Sequence, residues 1–257
     1  MGLFRKDTKS KTKEEPKPKK EAKPKKETKT DSSEELKALK AELKKLKAEL
    51  EETKKALADA LKKKETVKPV SKPKEKTMKD GHEYVDLGLP SGLKWATCNI
   101  GARVPEASGD YFAWGEIKTK RTFSESGSLT HGKKKYSIEI SGDPQLDAAR
   151  ANWGGSWRMP TKYESRELID KCKWEWVTIN GVNGYKVTGT NGNSIFLPAA
   201  GCRYGSSLNF AGSYGNYWSS TPYENSDGAY CLYFGSSNQG MIYYERYNGR
   251  SVRPVIE

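Results

Sequence analysis

The residues able to do acid–base or nucleophilic chemistry are two histidines, His82 and His131, four cysteines, Cys98, Cys172, Cys202 and Cys231, and scattered carboxylates. His82 borders a Pro/Lys stretch. His131 lies in GSLTHGKKK, read as an exposed loop without a partner, so neither is expected to act as a general base. The cysteines are far apart and form no C-x-x-C or zinc spacing, which leaves no metal site to expect. Without an export signal they should be thiols during synthesis in the cytosol. Asp110 and Glu116 lie either side of FAWG, and nothing in their spacing places them together. No nucleophile elbow, phosphate loop, H-E-x-x-H helix or dinucleotide fingerprint occurs. No residue is assigned a catalytic role, and no cofactor is expected.

Binding chemistry is better represented. The stretch GSSNQGMIYYERYNGRSVRPV (235–255) sets Met241, Ile242, Tyr243 and Tyr244 among Ser, Asn and Gly. It follows neither a helical period nor a clean two-residue alternation. Tyr offers a large flat contact and a hydroxyl at small entropic cost, and Asn, Ser and Gly add adaptable hydrogen bonding, the composition of antibody paratopes. Residues 236–247 are therefore expected to be exposed for contact, with 204–228 a weaker second region. SVRPV (251–255) reads as a closing strand with Val252 and Val255 partly in the core.

The elements that must position such a surface come from a chain of two unlike halves. Residues 1–80 carry 27 Lys and Arg against 16 Asp and Glu, a net +11 of the chain's formal +13. Phe4 is the only Phe, Tyr or Trp before Tyr84, and all seven Trp come later. A basic chain invites a nucleic-acid reading. This tail lacks aromatics to stack bases, has almost no Arg and mixes in acidic residues, so a solvated spacer is expected instead. MGLFRKDTKSKTK is charged by residue 5 and has no apolar core, which argues against a secretory signal. Gly2 is followed by Lys6 where myristoylation wants Ser or Thr. No window approaches the roughly 20 apolar residues that span a bilayer.

Residues 1–30, rich in Lys, Glu, Pro and Thr, cannot bury enough apolar surface to offset chain entropy and are expected to be disordered. A helix is expected over 31–64, opened by a capping box of Ser32 and Glu35. Leu36, Leu43, Leu50 and Leu57 fall at heptad position a, with Leu39, Leu46, Thr53 and Ala60 at d. Glu35, Glu42 and Glu49 at g face Lys40, Lys47 and Lys54 at e across two parallel chains, which predicts a parallel homo-oligomer, trimer or dimer. Residues 65–82 read as a second Pro/Lys linker.

From 83 to 257 a Gly- and aromatic-rich domain shows short strand-like runs such as LKWATCNI, SIFLPA and AYCLYFG between turn residues. Two short helices are expected, one capped by Asp143 with Pro144 and running to about Ala151, the other opened by Thr161 and Glu164 and running to about Cys172. The fold class is α+β, built around antiparallel strands.

The motifs VDLGLPSGLKWATCNIGA (85–102), GDYFAWGE (109–116), NWGGSWRMPTKYESRELID (152–170), NGYKVTGTNGNSIFLPAAG (183–201), YWSS (217–220) and SVRPV (251–255) occur in this order. In this series the chain resembles the Fibrobacter major paralogous domain family, bacterial and phage domains with a C-type-lectin-like fold. The resemblance covers residues 83–257 and implies adjacent termini, a small sheet and a loop-rich binding face. It also extends to variable proteins diversified by retroelements, in which a C-terminal segment changes on a kept scaffold. The matching positions here include Tyr204, Ser206, Asn209 and Phe210, then Tyr223, Asn225, Asp227 and Tyr230. The last group is Ser236, Asn238, Gln239, Met241, Ile242, Tyr243, Tyr244, Glu245 and Tyr247.

The resemblance implies a multivalent binding protein rather than an enzyme, with a surface protein or glycan as ligand. Its context would be a phage fibre or receptor-binding protein, made in the cytoplasm and released with the virion by lysis. The calcium-dependent signatures of true C-type lectins (EPN or QPD, then WND) are missing, so neither calcium nor a simple sugar is implied. A structural assembly protein is the alternative. A remote one is a formylglycine-generating-type oxidase, suggested by GGSW (154–157), with Cys202 and Cys231 as its cysteine pair; the residues after GGSW depart from those enzymes.

Overall fold

The heptad leucines lie on one continuous helix, α1 (Asp31–Glu65), in a computed structural model that describes residues 31–65 and 77–257. The expected disordered tail and linker residues 66–76 lie outside the described residues, as do the side chains of Ser32 and Ala60. The chain forms two units divided between Pro73 and Lys74. In the first, Leu36, Leu39, Leu43, Leu46, Leu50 and Leu57 are 52–63% exposed, a leucine stripe along the helix. Thr53 at d turns its hydroxyl onto the Leu50 carbonyl at 2.9 Å. No described helix is long and apolar enough to cross a membrane.

The second unit is α+β. It opens with β1 (Thr77–Lys79), β2 (His82–Asp86) and β3 (Lys94–Ala96). Helices α2 (Ala148–Trp153) and α3 (Lys162–Lys171) follow, then β4 (Lys173–Ile179), β5 (Val182–Thr188) and β6 (Ser194–Pro198). A short hairpin, β7 (Cys202–Tyr204) and β8 (Ser207–Asn209), precedes β9 (Gly215–Pro222), β10 (Gly228–Gly235), β11 (Asn238–Glu245) and β12 (Val255–Ile256). The strands pair in the orders β1-β2-β3-β12, β4-β5-β6 and β11-β10-β9, with β7-β8 apart. Tyr84 pairs with Ala96 and Val255 with Trp95, so both ends of the domain join one sheet.

Two boundaries differ from the sequence reading. The domain starts earlier than 83, because Thr77–Lys79 pairs with His82–Asp86 across a two-residue turn at Asp80 and Gly81. Both turn residues have positive φ (49° and 81°), the geometry an Asp-Gly hairpin turn supplies, and it outweighs the linker-like Lys and Pro around it. The first helix begins not after Asp143 but after Asp147, whose buried carboxylate accepts N–H groups of Ala149 at 2.7 Å and Arg150 at 3.0 Å. The same carboxylate accepts from Gly142 at 2.7 Å and Met159 at 2.8 Å, tying the helix start to two loops. Asp143 caps only a turn, accepting from the Gln145 N–H at 2.8 Å. The second helix keeps its capping box, Thr161 with Glu164.

Two cores flank the β9-β10-β11 sheet. One gathers Leu87, Trp95, Tyr185, Leu197, Leu232 and Phe234 among others, and the other Phe112, Trp114, Trp218, Ala229 and Cys231. Val252 and Val255, expected to be partly buried, are fully so. Arg246, Arg250 and Arg253 are also buried, at 0–2% exposure. The Arg253 guanidinium donates to Asn99 Oδ1 at 2.8 Å and to the carbonyls of Ala96, Thr97 and Phe196 at 2.8–3.0 Å. It thereby joins the β3 end to β6 at the entry to β12. Outside the binding stretch, His82 stacks on Trp153 at 3.7 Å, and burial holds its imidazole below the usual range.

Candidate functional site

Residues 238–245, expected as variable loop, form strand β11, and its register explains why the sequence shows no alternation. Tyr243 lies opposite Tyr230, Ile242 opposite Cys231, Met241 opposite Leu232 and Gly240 opposite Tyr233. Successive side chains leave opposite faces of a strand. Ile242 and Tyr244 therefore share a face with Ala229, Cys231 and Tyr233, and Met241 and Tyr243 share the other with Tyr230 and Leu232. The second core covers the first face only toward Ala229 and Cys231, and the first core covers the other face only toward Leu232 and Phe234. Each face is buried at one end and open at the opposite end. Tyr243, at the open end of its face, is thus 46% exposed. Ile242 lies opposite buried Cys231 and is 39% exposed because β11 is the outer strand of the sheet, while Met241 and Tyr244 are half-buried against the two cores. The candidate residues consequently do not form one surface.

On the first face, Phe210, Tyr214, Tyr233 and Tyr244 wall a cavity of about 310 Å³ with Cys202 and Asn216. Tyr214 and Tyr233 stack with ring centroids 5.5 Å apart, and Phe210 meets Tyr214 edge-on at 5.7 Å. Arg250 also lines this cavity, its guanidinium 3.8 Å from the Tyr244 ring and 4.9 Å from that of Trp218. Burial raises the Tyr244 hydroxyl above its ordinary pKa, against the opposing pull of Arg250. The Tyr214 and Tyr233 pair also borders a polar hollow of about 400 Å³ lined by Trp176, Ser213, Ser236, Ser237 and Asn238. A side chain at Gly240 would meet nothing within 4 Å, so the strand leaves this side open.

On the opposite face Tyr243 stacks on Tyr223 at 3.7 Å, and Tyr223 meets Tyr230 edge-on at 5.4 Å. The Lys162 ammonium sits 4.3 Å over Tyr230, beside a hollow of about 290 Å³ lined by Tyr163, Arg166 and Met241. A third patch joins Tyr204, 60% exposed, to Tyr247 at 6.1 Å. His131 packs edge-on against Tyr247 at 4.9 Å, with Nδ1 3.0 Å from the Asp227 carbonyl and 3.4 Å from a Glu245 carboxylate oxygen. It is therefore not the partnerless loop histidine its polar neighbours suggested.

The remaining candidates are divided as well. Asn225 spends its carboxamide oxygen on the N–H groups of Asp227 and Gly228, at 3.1 and 3.0 Å, and so holds a turn. Ser206 lies at the β7-β8 turn, Asn209 pairs with Cys202 in that hairpin, and Gln239 pairs with Phe234. Glu116 is paired with Lys120 at 2.7 Å. Burial pushes the Cys231 thiol up to about 11, the opposite of an activated thiolate.

Sequence reasoning missed Tyr214, Tyr233, Asn216 and Arg250. A signal existed: residues 246–256 contain three Arg and no acidic residue among apolar neighbours, which marks cations turned inward. The split of faces is testable. Tyr244→Ala removes the cover of Arg250 and is expected to cost about 2–3 kcal/mol, whereas Tyr243→Ala loses one exposed stack and costs under about 1 kcal/mol. Urea denaturation of both variants measures this, and the reverse order would refute the assignment of faces.

Fold and site together define an α+β domain with an aromatic-walled cavity at one end of a three-stranded antiparallel sheet. A family model described as a domain of unknown function (DUF8237) matches residues 174–255, which run through β4 to β12 and hold every wall of that cavity. No curated protein and no solved structure matches the chain.

Proposed function

We propose that the chain is a multivalent binding protein, in which a parallel coiled coil of α1 helices displays copies of a C-type-lectin-like domain. Each domain binds a surface protein or glycan through the face bearing Phe210, Tyr214, Tyr233 and Ile242. The observation that carries this reading is an open aromatic cavity that shares its Tyr214 and Tyr233 walls with a polar hollow, beside a sheet held between two packed cores. Concave sites with aromatic walls and a few placed polar groups suit ligand binding. The exposed leucine stripe supports assembly, and the pairing of β12 with β3 agrees with the adjacent termini of lectin-like domains. The motif series supports a phage fibre or receptor-binding role with retroelement diversification. A neighbouring reverse transcriptase and a near-copy of the 3′ coding end, differing at adenines, would test that.

For the binding face, the labelled full chain is applied to printed glycans and to a displayed random-peptide library. Saturable binding is expected, reduced at least about tenfold by Phe210→Gly with Ile242→Ser and unchanged by Tyr243→Ser on the opposite face. No saturable binding, or equal binding by all three proteins, would overturn the reading.

A further inference from the structure

Three arginines enter the core within eight residues, and two of them are fully accounted for. Arg246 donates to the carbonyls of Gly228, Thr130 and Asn225 and to the Ser137 hydroxyl, and Arg253 has four acceptors of its own. Arg250 is as buried as they are, yet among the described residues its guanidinium makes one hydrogen bond, from Nη1 to Asn216 Oδ1 at 2.5 Å. Its Nε is buried without a partner among the described residues, and no described carboxylate forms an ion pair with it. A guanidinium cannot shed its proton, and a buried cation left without an anion is costly. Arg250 is also the one of the three that lines a cavity.

The cavity mouth carries a second unusual feature. Phe210 has φ of 61°, the left-handed region that disfavours side chains, and its ring is 62% exposed. Its carbonyl accepts the N–H groups of Ser213 and Tyr214 at 3.1 and 3.0 Å, so the strained residue opens the turn that brings Tyr214 onto the cavity. Its ring meets Tyr214 edge-on at 5.7 Å and is otherwise turned to the cavity mouth, at a position whose backbone glycine would hold without strain.

Resting on the binding reading above, we propose that this cavity takes an acidic sugar, a hexuronate-type ring whose carboxylate meets Arg250. The planar fork of a guanidinium matches a carboxylate. Phe210, Tyr214, Tyr233 and Tyr244 offer aromatic faces for the sugar C–H groups, and Ser213, Ser236, Ser237 and Asn238 beyond the Tyr pair offer partners for further hydroxyls.

The test is titration of the full chain with methyl β-glucuronide and methyl β-glucoside by saturation-transfer NMR at low salt. The glucuronide is expected to bind at least about tenfold more tightly than the neutral glycoside. Arg250→Met should remove that preference, and Arg250→Lys should restore part of it. Because a change at Arg250 could unfold the domain, Phe210→Gly supplies an independent reading. It should weaken glucuronide binding about fivefold or more while leaving the melting temperature unchanged or raised, since strain is relieved. Equal, Phe210-dependent binding of both glycosides would overturn the acid assignment and leave the binding face standing. Binding insensitive to Phe210 would remove the cavity as a site. Displacement of the glucuronide by a peptide ending in Glu, at lower concentration, would assign the cavity to protein ligands and overturn the sugar assignment.

Discussion

Leu43→Asp combined with Leu50→Asp is expected to convert the chain from an oligomer of two or three copies into a monomer of 28.8 kDa by size-exclusion light scattering. Both positions are at a, at the centre of a stripe whose six leucines are 52–63% exposed within one chain. Burying a Leu is worth about 1.5–3 kcal/mol, so six per copy can exceed the roughly 4–15 kcal/mol that association costs. Two adjacent heptads with Asp at a place like charges together in the seam, where they lose water and gain no partner. The helix itself loses only about 0.5 kcal/mol per site, although Asp is a poorer helix former than Leu. The unit over residues 77–257 should keep its melting temperature. Multivalent binding to an immobilised ligand should fall by roughly 10²–10⁴, the part contributed by avidity. A wild-type mass equal to one chain would remove the coiled-coil reading outright. An unchanged oligomer in the variant would move the interface elsewhere.

That helix was legible because its signal is local: every heptad repeats the same spacing, and no distant residue decides it. The Thr161 helix was legible for the same reason, since its capping box closes within four residues. Asp143 misled because Asp-Pro is a strong local start signal. Asp147 won because its carboxylate also collects the N–H groups of Gly142 and Met159 from two flanking loops, whose folding onto it leaves no spacing pattern in the sequence. The binding stretch was legible as composition and not as geometry. Its Tyr and Ile residues were found, but which face each one leaves depends on pairing with β10 and on two cores assembled from the whole domain. Arg250 and Tyr233 belong to the same category. Their surroundings are set by partners distant in the chain, such as Asn216 and Phe112 for Arg250, and their role appears only when β9, β10 and the final segment converge.

Arg253→Met is expected to be the most damaging single change in the domain, at about 3–5 kcal/mol. Replacing a buried ionic group by an apolar one can be harmless where both partners are replaced. Here three of the four acceptors are main-chain carbonyls, of Ala96, Thr97 and Phe196, and no substitution removes those. Methionine fills much of the volume, so the loss isolates orphaned acceptors, each worth about 1–3 kcal/mol when buried and unmet. The Asn99 side-chain oxygen loses its donor as well, while its amide still donates to the Ser108 carbonyl at 2.9 Å. Natural domains hold only about 5–15 kcal/mol in total, so the variant should melt about 10 °C lower. Arg253→Lys reaches one or two of the same carbonyls and should fall between the two. Calorimetry on the three proteins gives the order. A loss under about 1 kcal/mol for Arg253→Met would mean that the end of β3, β6 and the entry to β12 hold together without it, and that the arginine pins nothing.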